Sequence, residues 1–271
     1  MTDAQSTALA EDILSQFGIE MVPIPRGEEK TPDFEFTCES DHYVVEIKDR
    51  VAQWALSEEE IKAFQSGEIV HKSEGLGHKQ SFASRIVDGT RQIEAYNPSK
   101  DSFRLIWYFA YGGRASVAAK RIVATLVGDA WAIDMQTGKQ WTAYFFRDNL
   151  FSALKDKLDG ALILQETEND TFIAQFLINP HSSRYEKLRL TRFASLFPEG
   201  LIDPLAMEAL DEALIVPEGI DRTSEQAITS ALGFKYGINP PVIMPQGHMV
   251  AICSTDPTHY GEGYSEEAEP G

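Results

Sequence analysis

The stretch TPDFEFTCESDHYVVEIKDR, residues 31–50, decides the expected fold because two strand-like segments in it flank a short polar turn near Ser40. PDFEFTC and HYVVEIK are rich in the β-branched and aromatic residues of paired strands. Residues two apart in a strand point to the same face, so Glu46 and Lys48 are expected side by side. Asp33 is then available from the neighbouring strand.

The chemistry of these three side chains suggests an ion-dependent reaction. Two carboxylates supply the hard oxygen ligands that suit Mg²⁺ or Mn²⁺. A lysine beside them can orient a water for attack on a phosphate and offset the phosphate charge. Asp33, Glu46 and Lys48 are therefore candidates for the centre of a phosphodiester-hydrolysing site. Glu35 lies on the same strand face as Asp33 and is an alternative ligand.

The composition of the 271-residue chain, with 43% apolar and 24% charged residues, is typical of a globular protein with a sizeable core. Its apolar runs are too short to span a bilayer, and its polar, acidic N-terminus does not resemble a secretory signal. We therefore expect a cytoplasmic protein without a membrane partner. The two cysteines, Cys38 and Cys253, are expected to be free thiols, and a single disulfide is the alternative.

The net charge of -18 is unfavourable for contact with phosphates, but it is unevenly distributed. Residues 199–271 hold 13 acidic and 2 basic residues, whereas residues 79–121 hold 8 basic and 3 acidic ones. A second basic run lies on a predicted helix over 183–196, where we expect a solvated face rather than a phosphate track. The middle of the chain could therefore meet a polyanion despite the overall charge.

The pattern along the first half of the chain predicts alternating helices and strands. A capping box at Ser57 and Glu60 predicts a helix over 58–66, and small polar residues predict a loop over 73–79. The other predicted elements are helices at 7–17, 81–97 and 115–127, strands up to Lys48, and strands at 103–111, 130–134 and 140–147.

The second half is expected to add elements around this core. Asn149 can cap a helix that reaches Leu158, and ALILQ and TFIAQFLI look like two further strands. Another helix is predicted from Ser224 to Gly233. Three parts are expected: residues 1–198 as one domain, 199–253 as an accessory segment, and 254–271 as a disordered acidic tail.

The order of these motifs resembles that of the PD-(D/E)xK nuclease superfamily, which has the fold of the type II restriction endonucleases. Pro32 and Asp33 match its "PD", and Glu46 and Lys48 match its "ExK". The resemblance covers residues 7–111, where helix, three strands, helix and strand follow in the family's order. It implies an α/β fold with a restriction-endonuclease-like mixed sheet flanked by helices and, here, a C-terminal accessory segment.

A further motif resembles the RecB-like and phage exonuclease branch of the superfamily. Gln92 and Tyr96 match its QxxxY pattern, and their i, i+4 spacing puts them on one helix face that Arg85 and Gly89 extend. Gln92 follows Lys48 by 44 positions, which is a long gap for this pattern. An Arg at this position can contact a substrate phosphate, and a mid-helix Gly suggests close packing or a close substrate.

The resemblance implies roles for individual residues. Asp33, Glu46, the Ile47 carbonyl and a carboxylate on the first helix, Glu11, would surround Mg²⁺ or Mn²⁺. Lys48 would act on the attacking water, with Gln92 and Tyr96 as further catalytic residues. The implied function is a Mg²⁺-dependent nuclease whose partner is nucleic acid, DNA rather than RNA.

Other interpretations of the same residues remain. Glu46 and Lys48 could be a surface ion pair on an edge strand. The protein could be a catalytically weak nuclease-fold binding or regulatory protein that meets a basic partner, or a second copy as a homodimer, through its acidic C-terminal segment. It could also be an acidic α/β interaction protein with an accidental ExK. The tail at 254–271 could suppress the enzyme by mimicking nucleic acid, in which case its deletion would raise cleavage.

Overall fold

A computed structural model describes residues 3–27, 30–52, 57–96, 98, 99, 101–167, 171–244 and 246–252. Its helices are α1 (Asp3–Gln16), α2 (Glu58–Gln65), α3 (Gln80–Tyr96), α4 (Ala115–Val127), α5 (Leu150–Ala153), α6 (Tyr185–Leu188), α7 (Pro204–Ala209) and α8 (Glu225–Tyr236), with a 3-10 helix at Ala194–Leu196. Its strands are β1 (Met21–Pro23), β2 (Phe34–Cys38), β3 (Asp41–Val51), β4 (Val70–Gly75), β5 (Phe103–Tyr111), β6 (Ala130–Ile133), β7 (Gln140–Tyr144), β8 (Gly160–Glu166), β9 (Phe172–Ile178), β10 (Leu201–Ile202), β11 (Ala213–Ile215), β12 (Val242–Met244) and β13 (Gly247–Ile252).

A seven-stranded mixed sheet with the order β1-β2-β3-β5-β8-β9-β10 forms the centre of the molecule. Strands β1, β2 and β3 form an antiparallel meander, and β3, β5 and β8 are parallel. Strand β5 is a continuous apolar run because it is buried on both faces, as expected for a central parallel strand. The expected mixed α/β sheet flanked by helices is confirmed.

Helices cover both faces of this sheet and enclose two cores. Helices α3, α4 and α5 pack on one face against side chains such as Ile106 and Tyr108. Helix α1 and the segment 185–197 pack on the other, where Trp107 and Phe36 meet the ring of Phe193. The order of α1, the strands to β3, then α3 and β5 agrees with the order predicted from the sequence.

Residues 199–252 contribute strands to three sheets. Strand β10 joins the edge of the central sheet, and β11 and β12 flank the β6–β7 pair in a second sheet with the order β11-β7-β6-β12. Helix α8 packs on this second sheet. Between β12 and β13, the Gln246 amide donates a 2.6 Å hydrogen bond to Asp129 Oδ2, and β13 pairs with β4.

Three predicted elements differ in the structure. Residues 73–75 of the loop predicted over 73–79 belong instead to the end of β4. This strand forms because β13, which is distant in sequence, pairs with it. The helix predicted over 183–196 is broken into α6 and the 3-10 helix. Thr191 Oγ1 there donates to the Leu188 carbonyl and accepts from the Ala194 amide, which replaces helical hydrogen bonds.

Two cations of the basic run on this broken helix contact acidic side chains of the central sheet region. Arg184 contacts buried Asp159 at 3.0 Å, and Lys187 contacts Asp41 at 3.2 Å. The helix predicted after Asn149 is likewise shorter than expected, since α5 spans only four residues, although Asn149 caps it as predicted. The predicted strand ends and the helices α1, α2, α3 and α4 agree with the structure to within a few residues.

The C-terminal helix α8 continues past the predicted end at Gly233 to Tyr236, and Gly237 with φ +65° ends it. Gly233 allows close packing instead, because a Cβ there would lie 3.3 Å from the Pro240 ring.

Cys38 is a buried free thiol, whereas Cys253 and the tail at 254–271 lie outside the described residues. Among the helices that the structure describes, none combines the length and apolar character of a membrane span.

Candidate metal centre

A cleft of about 520 Å³ opens beside β3, between α1, α3 and the loop that joins β1 to β2. Side chains from all four elements line it. They are Ser6, Thr7, Arg26, Lys30, Thr31, Asp33, Glu46, Ile47, Lys48, Asp49, Arg85, Asp88 and Gln92, together with Gly27. Most of the site residues predicted from the sequence therefore lie around one cavity.

Asp33 lies just before β2 and is fixed by two backbone contacts to β3. Its amide donates to the Val45 carbonyl at 3.1 Å, and its Oδ2 accepts the Ile47 amide at 2.7 Å. These two hydrogen bonds extend the β2–β3 pairing by one residue beyond Phe34. In the second bond, the Asp33 carboxylate takes the place of a backbone carbonyl as the acceptor. The second oxygen, Oδ1, faces Arg26, whose Nη2 is 3.5 Å away.

Glu46 and Lys48 point from β3 toward α3, as the strand spacing predicts. Lys48 Nζ lies 2.5 Å from Glu46 Oε1, and the two side chains are only 19% and 5% exposed. Strand β3 lies between β2 and β5, so this pair is not on an edge strand and the interpretation as a surface ion pair is wrong. Breaking a buried pair by removing one partner is costly.

The second oxygen of Glu46 is the most unusual atom of the cleft. Glu46 Oε2 is buried and has no hydrogen-bond partner among the described residues. Burial, and then the neighbouring charge of Asp33, raises the pKa of Glu46 to about 7. Lys48 opposes this shift, because its positive charge lowers the pKa of Glu46. A buried, unpaired carboxylate oxygen beside a second carboxylate is a common property of a cation site.

The donor set fits a hard divalent cation. Asp33 Oδ1 and Glu46 Oε2 are the two carboxylate oxygens without a bond to the surrounding strands. In a strand, the N–H and C=O of one residue point to the same side, so the Ile47 carbonyl points toward the edge where its amide meets Asp33. Two carboxylates and a carbonyl are oxygen ligands of the kind that Mg²⁺ and Mn²⁺ take, usually with water.

The set is small for a metal site. Within the parts of the chain that the structure describes, no group of three or more His, Cys, Asp or Glu side chains could hold an ion. Glu11, the predicted third carboxylate, is exposed on α1 and does not line the cleft. The N-terminal turns of α1 reach the cleft instead, through Ser6 and Thr7.

Helix α3 forms one wall of the cleft. It packs closely against β3 because Gly89 has no side chain at the point of contact. A Cβ at Gly89 would lie 3.0 Å from both Glu46 Cγ and Lys48 Cε. The close packing expected for this mid-helix glycine is therefore present. Gln92 and Arg85 lie on the same helix face and line the cleft, and Arg85 Nη1 donates a 2.8 Å hydrogen bond to the Asp49 carbonyl.

Tyr96 and Glu35 lie together but outside the cleft. The Tyr96 hydroxyl donates to Glu35 Oε2 at 3.2 Å, and the same oxygen is 3.5 Å from His42 Nε2. Burial is the main cause of the raised pKa of Tyr96. The alternative ligand Glu35 is thus engaged elsewhere, and of the QxxxY pair only Gln92 is brought to the candidate centre.

Sequence reasoning missed several residues of the cleft. Ser6 Oγ donates to Asp49 Oδ2 at 2.9 Å, which joins α1 to β3. Arg26 and Lys30 come from a polar turn that carried no motif, and Asp88 precedes Gly89 on α3. In the sequence, Asp49 and Asp88 could be linked to the site only because they are adjacent to Lys48 and Gly89. Nothing in the sequence linked Arg26 and Lys30 to it.

Comparisons with protein-family models, with curated proteins and with solved structures gave no match to this chain. The functional argument therefore depends on the residues of the cleft and their chemistry.

Proposed function

We propose that the protein is a metal-dependent nuclease that hydrolyses phosphodiester bonds, with DNA as the favoured substrate. The observation that carries this proposal is the meeting of Asp33, Glu46 and Lys48 in one cleft, where Glu46 Oε2 is buried and has no partner in the described part of the chain. Asp33, Glu46 and the Ile47 carbonyl would hold Mg²⁺ or Mn²⁺. Such an ion supplies positive charge opposite the negative charge that develops on a phosphate under attack.

The residues of the chain would position the reacting groups. In hydrolysis a bond forms between the water oxygen and phosphorus, and the bond from phosphorus to the leaving oxygen breaks. The attacking water loses a proton and the leaving oxygen gains one. Lys48 Nζ can donate a hydrogen bond to the water or to a phosphate oxygen from its place beside Glu46. Gln92 and Arg85, on the wall formed by α3, can contact the substrate from the opposite side.

Charges of both signs line the cleft. Among the described residues, four cationic side chains, Arg26, Lys30, Lys48 and Arg85, and four acidic ones, Asp33, Glu46, Asp49 and Asp88, border the cavity. A divalent ion held by Asp33 and Glu46 would offset part of this negative charge, and the cations could then contact a phosphate backbone. The net charge of -18 limits non-specific binding.

Cleavage assays test the proposal directly. We expect the protein to cleave linear, circular or single-stranded DNA with Mg²⁺ or Mn²⁺ and to lose this activity in EDTA. Lys48→Ala and Glu46→Gln should each lower the rate by about a hundredfold or more, as expected when a group that stabilises the transition state is removed. RNA serves as the competing substrate.

Matched exposed residues serve as controls for these variants. Lys120→Ala on α4 and Glu20→Gln before β1 change the same charges outside the cleft, and both should keep the wild-type rate. Metal binding without cleavage would favour the nuclease-fold binding protein. Neither metal binding nor cleavage would leave the acidic interaction protein.

A further inference from the structure

The loop between β1 and β2 places a cation directly on the candidate metal ligand. The described parts of this loop, residues 24–27 and 30–33, are joined at the base by a 3.1 Å hydrogen bond from the Ile24 amide to the Asp33 carbonyl. The Thr31 hydroxyl donates to the Pro25 carbonyl within it. Arg26 extends from the loop into the cleft, and its Nη2 lies 3.5 Å from Asp33 Oδ1.

Arg26 lies beside the oxygen of Asp33 that is not bonded to β3. Asp33 Oδ2 accepts the Ile47 amide at 2.7 Å, a bond that also holds the end of β2 against β3. Oδ1 is the remaining oxygen, and the guanidinium is its charged neighbour. A divalent ion bound at Oδ1 would meet the positive charge of Arg26 at close range, so the two cations compete.

The Arg26–Asp33 ion pair is weak enough to be displaced. The Arg26 side chain is 74% exposed, and a distance of 3.5 Å is long for a charge-assisted hydrogen bond. Solvent screens such a pair, and holding a long side chain in one position costs entropy. A divalent ion shared by Asp33 and Glu46 would have twice the charge and two carboxylate ligands, which favours it over Arg26 at Oδ1.

We propose that Arg26 is a displaceable counterion of the centre, which neutralises Asp33 in the free protein and contacts a substrate phosphate once a divalent ion takes its place. The counterion role rests on the metal site of the proposed function, and the phosphate contact rests on its nuclease activity as well. The planar guanidinium matches two phosphate oxygens, and it lines the same cavity as Lys48 and Arg85. A single residue thus links the arrival of the metal to the binding of the substrate.

The test measures Mn²⁺ binding to the full chain without nucleic acid, by the electron paramagnetic resonance signal of free Mn²⁺. Arg26→Ala removes the competitor and should tighten Mn²⁺ binding about two- to fivefold, the range of a screened ion pair. Arg26→Lys keeps the charge and should stay close to wild type. Lys30→Ala removes a charge of the same cleft and loop, and its effect should be clearly smaller.

Each outcome decides a separate point. Equal Mn²⁺ affinities in wild type and Arg26→Ala, or equal gains in Arg26→Ala and Lys30→Ala, would overturn the counterion role. Tighter binding without any cleavage would support that role and refute the nuclease function. Absence of Mn²⁺ binding in every variant would refute both.

Where cleavage occurs, Arg26→Ala should raise KM for DNA by about tenfold, and an unchanged KM would refute the phosphate contact.

Discussion

Gly89 is the residue that allows a buried acid and a lysine to lie under a helix. Its missing side chain leaves the space that Glu46 Cγ and Lys48 Cε fill, and Ile106 Cδ1 would lie only 2.9 Å from an added Cβ. Glycine in a helix interior is unfavourable by about 1 kcal/mol relative to alanine. The sequence pattern alone correctly suggested a close approach here, because such a cost needs a local reason.

Gly89→Ala should therefore disturb the centre more than the fold. Overpacking costs about 1–3 kcal/mol, and the better helix propensity of alanine offsets about 1 kcal/mol of that cost. Displacing Lys48 or Glu46 by about 1 Å can lower a rate by on the order of a hundredfold. Urea unfolding and cleavage assays measure the two effects. Ser84→Ala, on the exposed side of α3, is the control and should change neither quantity much.

Helix α3 and the β2–β3 pair show which parts of the site a sequence can predict. The position of Asp33 beside Glu46 follows from a short hairpin register, which residues 31–50 encode locally. The face of α3 follows from helical periodicity, and Gln92 lies in the cleft as the spacing indicates. Tyr96, one turn further, is beyond the end of the cleft, since the shape of a cavity depends on residues distant in sequence.

The two residues of the QxxxY motif should therefore behave differently. Gln92→Ala should lower the rate of DNA cleavage by about tenfold to a hundredfold, the effect of a lost hydrogen bond to a charged group. Tyr96→Phe removes only the hydrogen bond to Glu35 and should change the rate less than twofold. Initial rates at saturating Mg²⁺ measure both. A large loss in Tyr96→Phe would mean that the substrate extends past the cleft.

At the scale of the whole molecule, the sheets combine strands that are distant in sequence. Strand β4 pairs with β13, and β6 lies between β7 and β12. Neither arrangement was predicted, because periodicity identifies strands without identifying their partners. The short strands β10, β11 and β12 have two or three residues each, which is too short for a periodic signal. Packing against the central sheet and α8, rather than local propensity, stabilises them.

Asp129 connects these distant parts and makes stability depend on pH. Burial raises the pKa of Asp129 to about 6, and its Oδ2 accepts the Gln246 amide. Between about pH 4 and pH 6, Asp129 is therefore protonated in the folded protein and ionised in the unfolded chain. The resulting stabilisation is complete below about pH 4 and is lost as the pH rises through 6.

Asp129→Asn should remove this pH dependence while keeping an acceptor for Gln246. The free energy of unfolding should rise by about 1–3 kcal/mol above pH 7 relative to wild type, with little difference near pH 4. Urea unfolding at pH 4 to 8 measures the change. Asp12→Asn, an exposed position on α1, should show no such pattern. A destabilised Asp129→Asn at pH 8 would contradict the assigned direction.

The pairing of β4 with β13 also has a consequence during synthesis. Val70 pairs with Ile252, so about 180 residues are translated between these two paired residues. At about 5–20 residues per second, β4 leaves the ribosome roughly 10–40 s before its partner exists. An unpaired strand edge is a template for aggregation, and a chaperone that shields nascent chains would protect it during that interval.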